Sequence, residues 1–157
     1  MYRQARRGSG TALAILSAFA LSGCGGDRTG QEAAGTQARR MVVVDERDVI
    51  SEEAPPHGAI GMSTAYRISD VAPGRAMEFR KRTLHVGAAV GVHPIGHDEV
   101  YYVVSGTGEV TSDGETQRLT PGMAAYLYEG AEVGIAQTGE EALTIIIAYP
   151  LAERRAD

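Results

Sequence analysis

Hydrophobic and polar positions alternate over short runs through most of the chain after about residue 58. The runs are rich in β-branched and aromatic residues, and Gly, Pro, Asp-Gly or Thr-Gly separates them, as in short strands joined by tight turns. The pattern predicts strands over residues 62–68, 77–86, 88–93, 99–106, 108–112, 115–120, 123–128, 132–137 and 143–150. Because no helical pattern lies between them, we predict an all-β domain, built as a sandwich or a barrel.

The first 23 residues have the order of a secretory signal, which is charged, then apolar, then small. The apolar run TALAILSAFAL is too short for a comfortable membrane span. The next residues, LSGC, resemble a bacterial lipobox that ends at Cys24, the single cysteine of the chain. This resemblance implies cleavage before Cys24, lipidation there, and export to a membrane of the bacterial cell envelope, on its periplasmic or outer face. The alternative is a plain signal peptide with a chance cysteine.

The rest of the chain divides by composition. Residues 24–40 are polar and Gly-rich without an apolar period, which predicts a flexible tether. The folded domain is predicted over residues 41–157, with its core at about 58–150. Its acidic opening segment, DERDVISEEAPP, ends in two prolines and is predicted to be a loop or one helical turn.

The charge balance excludes one class of partner. The whole chain carries 15 Lys and Arg against 20 Asp and Glu, and removal of residues 1–23 would take away three arginines and no acid. An excess of negative charge opposes binding to phosphate backbones, so we predict that the protein binds no nucleic acid. The basic stretch from Arg75 to Arg82 is interpreted as the solvated face of a strand.

The spacing of several glycines, a histidine and a glutamate then suggests a family. Four residues have the spacing of the first cupin motif: Gly87, His93, Glu99 and Gly106. Two glycines match the second motif: Gly122 and Gly130. The segment DEVYYVVSGTGEVTSDGE and the following LTPG are also cupin-like. The chain therefore resembles a type-2-like single-domain cupin, which implies an antiparallel jelly-roll β-barrel and, as in many small cupins, a homodimer.

The chain departs from the cupin pattern at the metal-binding positions. A cupin that keeps its motif holds one divalent ion with three histidines and a glutamate. Here Ile95 and Val133 replace two of those histidines, which leaves His93 and Glu99 at matched positions. First-row metals usually need at least three nitrogen or oxygen ligands from the protein. The resemblance therefore predicts a metal site that is partly lost.

His97 offers an alternative to a partly lost metal site, because it lies two residues before Glu99. If the strand extends that far, both side chains share one face. His93, His97 and Glu99 would then form a rearranged centre of two imidazoles and a carboxylate for Mn, Fe, Ni or Zn. Pro94 and Gly96 favour a turn instead, which would place His97 at the mouth of the barrel.

Two functions stay open from the sequence. The first is binding of a small polar molecule in the barrel, without a metal cofactor. The second is metal-dependent cupin chemistry of the dioxygenase, isomerase or decarboxylase type. The residues predicted to line the pocket are His93, Glu99, Tyr101, Val133 and Gln137. His57 is expected to form local hydrogen bonds in a turn, and His85 to lie at the opposite end of the barrel.

Overall fold

Two antiparallel β-sheets face each other in the computed structural model, which describes residues 40–58 and 60–152. One sheet has the order β1-β2-β3-β10-β5-β8 and the other β4-β9-β6-β7. The strands are β1 Ile50–Glu53, β2 Ser63–Tyr66, β3 Met77–Leu84, β4 Ala89–Pro94, β5 Glu99–Ser105, β6 Gly108–Ser112, β7 Glu115–Leu119, β8 Ala124–Leu127, β9 Glu132–Gln137 and β10 Leu143–Pro150. This arrangement is a jelly-roll barrel, so the predicted fold class is confirmed.

The core lies between the sheets, where alternate residues of each strand point inward. Val103, Leu143 and Ile145 are completely buried, and each comes from a strand with the alternating pattern seen in the sequence. The hairpin between β6 and β7 turns at Asp113 and Gly114, whose φ angles of 50° and 85° are the left-handed values that an Asp-Gly turn supplies. Local sequence therefore determines both the inward faces and this turn.

The segment before the barrel contains more structure than the sequence predicted. A 3-10 helix covers Glu46–Val49, in agreement with the helical turn that was one predicted alternative, and β1 follows it where no strand was predicted. A second 3-10 helix, Ile68–Val71, lies between β2 and β3. β1 pairs along β2, with Ile50 opposite Tyr66, although Ile50 itself is half exposed. Because backbone pairing rather than burial of its side chains forms this edge strand, its hydrophobic pattern is weak. Within the described residues, no helix has the length and apolar character that crossing a membrane requires.

A β-bulge in β4 determines which side chains of that strand face the barrel interior. Val90 pairs with Ile135, whereas His93 pairs with Val133, so β4 has one extra residue between these two pairs. An extra residue reverses the alternation of faces along the strand. Val92 is consequently 59% exposed and His93 faces inward.

Candidate functional site

A cavity of about 270 Å³ lies inside the barrel, bounded by β3, β4, β5, β10 and the turn at 56–58. Its polar walls are formed by side chains that carry nitrogen or oxygen, namely His57, Arg80, Arg82, His93, His97, Glu99, Tyr101 and Tyr149. Its apolar walls are formed by Pro56, Val90, Pro94, Ile95 and Ile147. The cavity therefore combines several hydrogen-bonding groups with a smaller aliphatic surface.

The structure brings some of the predicted site residues together and separates others. His93, His97, Glu99 and Tyr101 line the cavity. Val133 is not among the lining residues and is completely buried in the hydrophobic core.

Gln137 has a different position and is not among the lining residues. Its Oε1 accepts from the Gly87 backbone N–H at 2.8 Å, and its Nε2 donates to the carbonyls of Gly139 and Glu141. This side chain therefore ties two loops together by satisfying their backbone groups.

Glu99 and His97 lie side by side on the cavity wall. Glu99 Oε2 lies 3.6 Å from His97 Nε2, which is longer than a hydrogen bond. Burial raises the pKa of Glu99 to about 7, although the charge of Arg80 acts in the opposite direction. Burial lowers the pKa of His97, against the nearby carboxylates of Glu129 and Asp98. Near neutral pH the pair therefore consists of a neutral imidazole and a carboxyl group close to its titration point.

His97 is held in place by a stacking contact. Its ring lies against that of Tyr149, with centroids 4.0 Å apart and an interplanar angle of 20°. Its Nε2 is buried and has no hydrogen-bond partner among the described residues. Because this nitrogen has almost no accessible surface, a molecule in the cavity would contact it only if the ring or its neighbours moved.

His57 and His93 form a second stacked pair at another wall of the cavity. The two rings are parallel within 9°, with centroids 3.6 Å apart. His93 Nδ1 donates to the Gly91 carbonyl at 2.9 Å, so the free lone pair of neutral His93 is on Nε2. Burial and then the proximity of His93 lower the pKa of His57. Sequence reasoning expected only local hydrogen bonds for His57, since nothing in the sequence marks a contact with His93.

The stacked pair depends on close packing of two backbone segments. His57 has a φ of 58°, in the left-handed region, and its carbonyl lies directly over Gly91 in the bulge of β4. A Cβ atom on residue 91 would overlap the His57 carbonyl oxygen. Glycine at this position therefore lets the turn reach the cavity.

We expect Gly91→Ala to destabilise the protein by about 1–3 kcal/mol, the usual cost of forcing an extra methyl group into packed structure. The turn at 56–58 would have to move away, and His57 would leave His93. Urea denaturation measures this change. Gly96→Ala is the matched control, because a Cβ on Gly96 meets no atom within 4 Å. Equal stabilities for the two variants would contradict the close packing.

Two arginines of β3 occupy the wall beside Glu99. Arg82 is only 3% exposed, so the interpretation of this stretch as a solvated face is wrong for that residue. Arg82 donates to Ser63 Oγ at 2.6 Å and to Glu53 Oε1 at 2.9 Å. The error arises because these partners are distant in sequence, and a buried guanidinium becomes tolerable only when such partners are present.

The donor atoms around the cavity do not fit a bound metal. Among residues 40–58 and 60–152, no three His, Cys, Asp or Glu side chains are grouped as ligands. Ile95 and Val133, at the positions where cupin metal sites carry histidine, are 5% and 0% exposed and belong to the hydrophobic core. His93 and Glu99 keep donor atoms, and His97 adds one more, without forming a three-ligand group.

Comparison with known proteins agrees with this architecture. Residues 80–149 match the family described as Cupin domain. This stretch is a cupin domain. The match covers β4 to β9 and most of β3 and β10, and thus most of the cavity walls. No curated protein matches the chain by sequence.

Solved structures with the same fold have varied descriptions. A predicted oxalate decarboxylase from Thermotoga maritima superposes with a TM-score of 0.63 at 22% identity, covering 70% of this chain and 99% of that one. The polyketide cyclase RemF from Streptomyces resistomycificus gives 0.60 at 17%, covering 74% and 83%. An RmlC-like cupin from Shewanella frigidimarina gives 0.55 at 19%, covering 73% and 96%. At these identities the similarity establishes the fold of the cupin domain.

Proposed function

We propose that this cupin domain binds a small polar molecule in its barrel cavity. The observation that carries the proposal is the cavity itself, whose wall presents polar side chains such as Arg80, His93 and Glu99 beside an aliphatic surface. Glu99 is 6% exposed and lies 3.6 Å from His97, so both side chains belong to the same polar part of the wall. Ligand pockets typically combine apolar surface with a few polar groups of this kind, which fix the orientation of the ligand.

The dimensions of the cavity limit the ligand. A volume of about 270 Å³ lies near the lower end of the range for small-molecule sites. The cavity therefore suits a small molecule rather than an oligosaccharide or a peptide. The apolar side chains of Val90, Ile95 and Ile147 would contact the hydrocarbon part of such a molecule.

Saturation-transfer NMR with a panel of sugars, sugar acids, small carboxylic acids and their amides tests the proposal. We expect members of the panel to bind, and His97→Phe to weaken their binding about tenfold, the effect of losing about 1.4 kcal/mol. Phenylalanine preserves a ring to stack on Tyr149 while it removes the polar atoms of the imidazole.

Tyr102→Phe is the control, because Tyr102 neighbours Tyr101 on β5 but is 43% exposed. This control should bind like the wild type. Absence of binding at millimolar concentrations across the panel would contradict the proposed function, as would unchanged binding in His97→Phe.

We also propose that the protein is exported and anchored in the cell envelope through a lipid on Cys24. This proposal rests on the charged, apolar and small order of the first 23 residues and on the LSGC sequence, which lie outside the described residues. The acidic mature chain would then act at the envelope rather than on nucleic acid.

Cys24→Ser is expected to move the protein from the membrane fraction to the soluble fraction, because it removes the thiol that would carry the lipid. Fractionation with immunodetection measures the change, and mass spectrometry of the wild-type protein measures the lipid. A wild-type protein found in the soluble fraction without added lipid mass would contradict the proposed anchor.

The homodimer implied by the cupin resemblance is likewise a proposal. On the outer face of the larger sheet, the pairing of β3, β10, β5 and β8 places Phe79, Ala148, Val100 and Tyr126 in one row. Phe79 and Tyr126 are 39% and 55% exposed. An apolar row of this kind on an open sheet face supports contact with a second copy of the chain.

A further inference from the structure

The charge of the cavity wall indicates which polar molecules fit. Arg80 and Arg82 lie two residues apart on β3 and therefore share one face of the strand, and both side chains line the cavity. The carboxylates that pair with them, Glu78 and Glu53, are not among the lining residues. The two arginines therefore contribute positive charge to the cavity wall, whereas the carboxylates that pair with them do not line it.

Those carboxylates are shared with other arginines. Glu53 pairs with Arg67 as well as Arg82, at 2.6 and 2.9 Å. Glu78 likewise pairs with Arg75 as well as Arg80, at 3.2 and 2.9 Å. Because each carboxylate divides its charge between two guanidinium groups, neither cavity arginine is fully neutralised by it.

Arg80 is the arginine better placed to contact a ligand. Arg82 uses two of its nitrogens for Ser63 and Glu53, and its side chain is 4% exposed. Arg80 holds Glu78 through its Nε and Nη2 atoms, and its side chain is 23% exposed. When Nε and Nη2 hold Glu78, the Nη1 side of the Arg80 guanidinium still carries N–H donors that a carboxylate can accept.

The remaining walls suit the rest of an organic acid. The one carboxyl group among the described lining residues is that of Glu99, whose side chain is 8% exposed. Val90, Ile95 and Ile147 provide an aliphatic surface, and His97 provides part of an imidazole ring. Positive charge is thus combined with apolar surface in a space of limited volume.

We propose that the ligand of this cavity is a small carboxylic acid, bound as its anion with the carboxylate on Arg80. This inference rests on the proposed function and makes it more specific. A neutral molecule of the same shape would leave the charge of Arg80 without a partner in the cavity, whereas an anion would pair with it.

Matched acid and amide pairs separate charge from shape. Calorimetric titration of the wild-type protein with lactate, benzoate and nicotinate is compared with lactamide, benzamide and nicotinamide under the same buffer and salt. We expect at least one acid to bind about tenfold or more tightly than its amide. The preference should fall to about threefold or less in Arg80→Gln, and persist in Arg80→Lys, which keeps the charge.

Arg118→Gln is the matched control, because Arg118 is exposed on β7, outside the cavity. This control should keep the preference. If Arg80→Gln fails to fold, the ratio of acid to amide affinity in the wild-type protein still decides the question.

Three results would overturn the inference. If amides bind as tightly as acids, the ligand is not recognised by charge, and the proposed function stands. If only the uncharged sugars of the NMR panel bind, the inference fails and the proposed function again stands. If no probe in either experiment binds, both fail.

Discussion

Excess Mn²⁺, Fe²⁺, Ni²⁺ or Zn²⁺ is expected to change the melting temperature of the wild-type protein by less than about 2 °C. In the double variant Ile95→His with Val133→His, the same metals should raise the melting temperature by about 10 °C or more. A ligand that binds only the folded state at a thousandfold excess over Kd stabilises it by about 4 kcal/mol. In a domain of this size, each kcal/mol raises the melting temperature by several degrees. Differential scanning fluorimetry with and without metal measures the effect.

The geometry of β4 and β9 explains the expected gain. His93 and Val133 are direct partners across the two strands, and residue 95 follows directly after Pro94, the last residue of β4. Histidines at 95 and 133 would add two imidazoles close to His93, and Glu99 already lines the same cavity. Four nitrogen and oxygen donors from three strands would then be available, which meets the usual requirement of a first-row metal.

A matched control carries the same number of new histidines at exposed positions. Val92 and Val104 are 59% and 47% exposed, so Val92→His with Val104→His adds imidazoles outside the cavity and should leave the response to metal unchanged. A large wild-type shift that disappears in His97→Ala would contradict the partly lost metal site. That result would support the rearranged His93, His97 and Glu99 centre instead.

The wild-type protein is expected to lose stability as pH rises from 5 to 8.5 because Glu99 ionises. The Glu99→Gln variant should not show this loss. The pKa of Glu99 is raised from 4.5 to about 7 by burial, so the folded state retains a proton that the unfolded state releases. The stabilising effect of the protonated form is therefore complete below about pH 4.5 and lost as pH rises through about 7. At about 1.4 kcal/mol for each pH unit, the loss amounts to about 3 kcal/mol.

Urea denaturation at several pH values measures this prediction. The lowered pKa values of His57 and His97 act in the opposite direction, because their protonation at low pH favours the unfolded state. Both histidines are present in the wild type and the variant, so the difference between the two proteins isolates Glu99. Glu109→Gln, at an exposed position of β6, is the control. Parallel pH profiles for the wild type and Glu99→Gln would contradict the prediction.

The local sequence was sufficient to predict most strands of the barrel. Strand positions from 62 to 150 follow from alternation of apolar and polar residues, and the structure places every predicted strand within a few residues of its predicted bounds. Alternation is a property of neighbouring residues, since successive side chains of a strand point to opposite faces. The turn at Asp113 and Gly114 is equally local, because these residue types tolerate positive φ.

The presence of Glu99 and Tyr101 at the cavity also follows from this alternation, since both lie on the inward face of β5. His93 lies there for another reason. Its inward direction depends on the bulge after Val90, which arises from the pairing of β4 with β9. Without the bulge, strict alternation along β4 would place Val92 on the inward face with Val90, and His93 on the outer face.

Contacts between distant segments were decided by the tertiary structure. His57 stacks on His93 because the turn that carries it fits over Gly91, and Arg82 is buried because Ser63 and Glu53 meet it from neighbouring strands. The sequence by itself determined the strands, the all-β class and the cupin-like spacing of His93 and Glu99. Folding alone decided which charges and rings share the cavity, because such contacts depend on strand pairing and close packing between residues far apart in the chain.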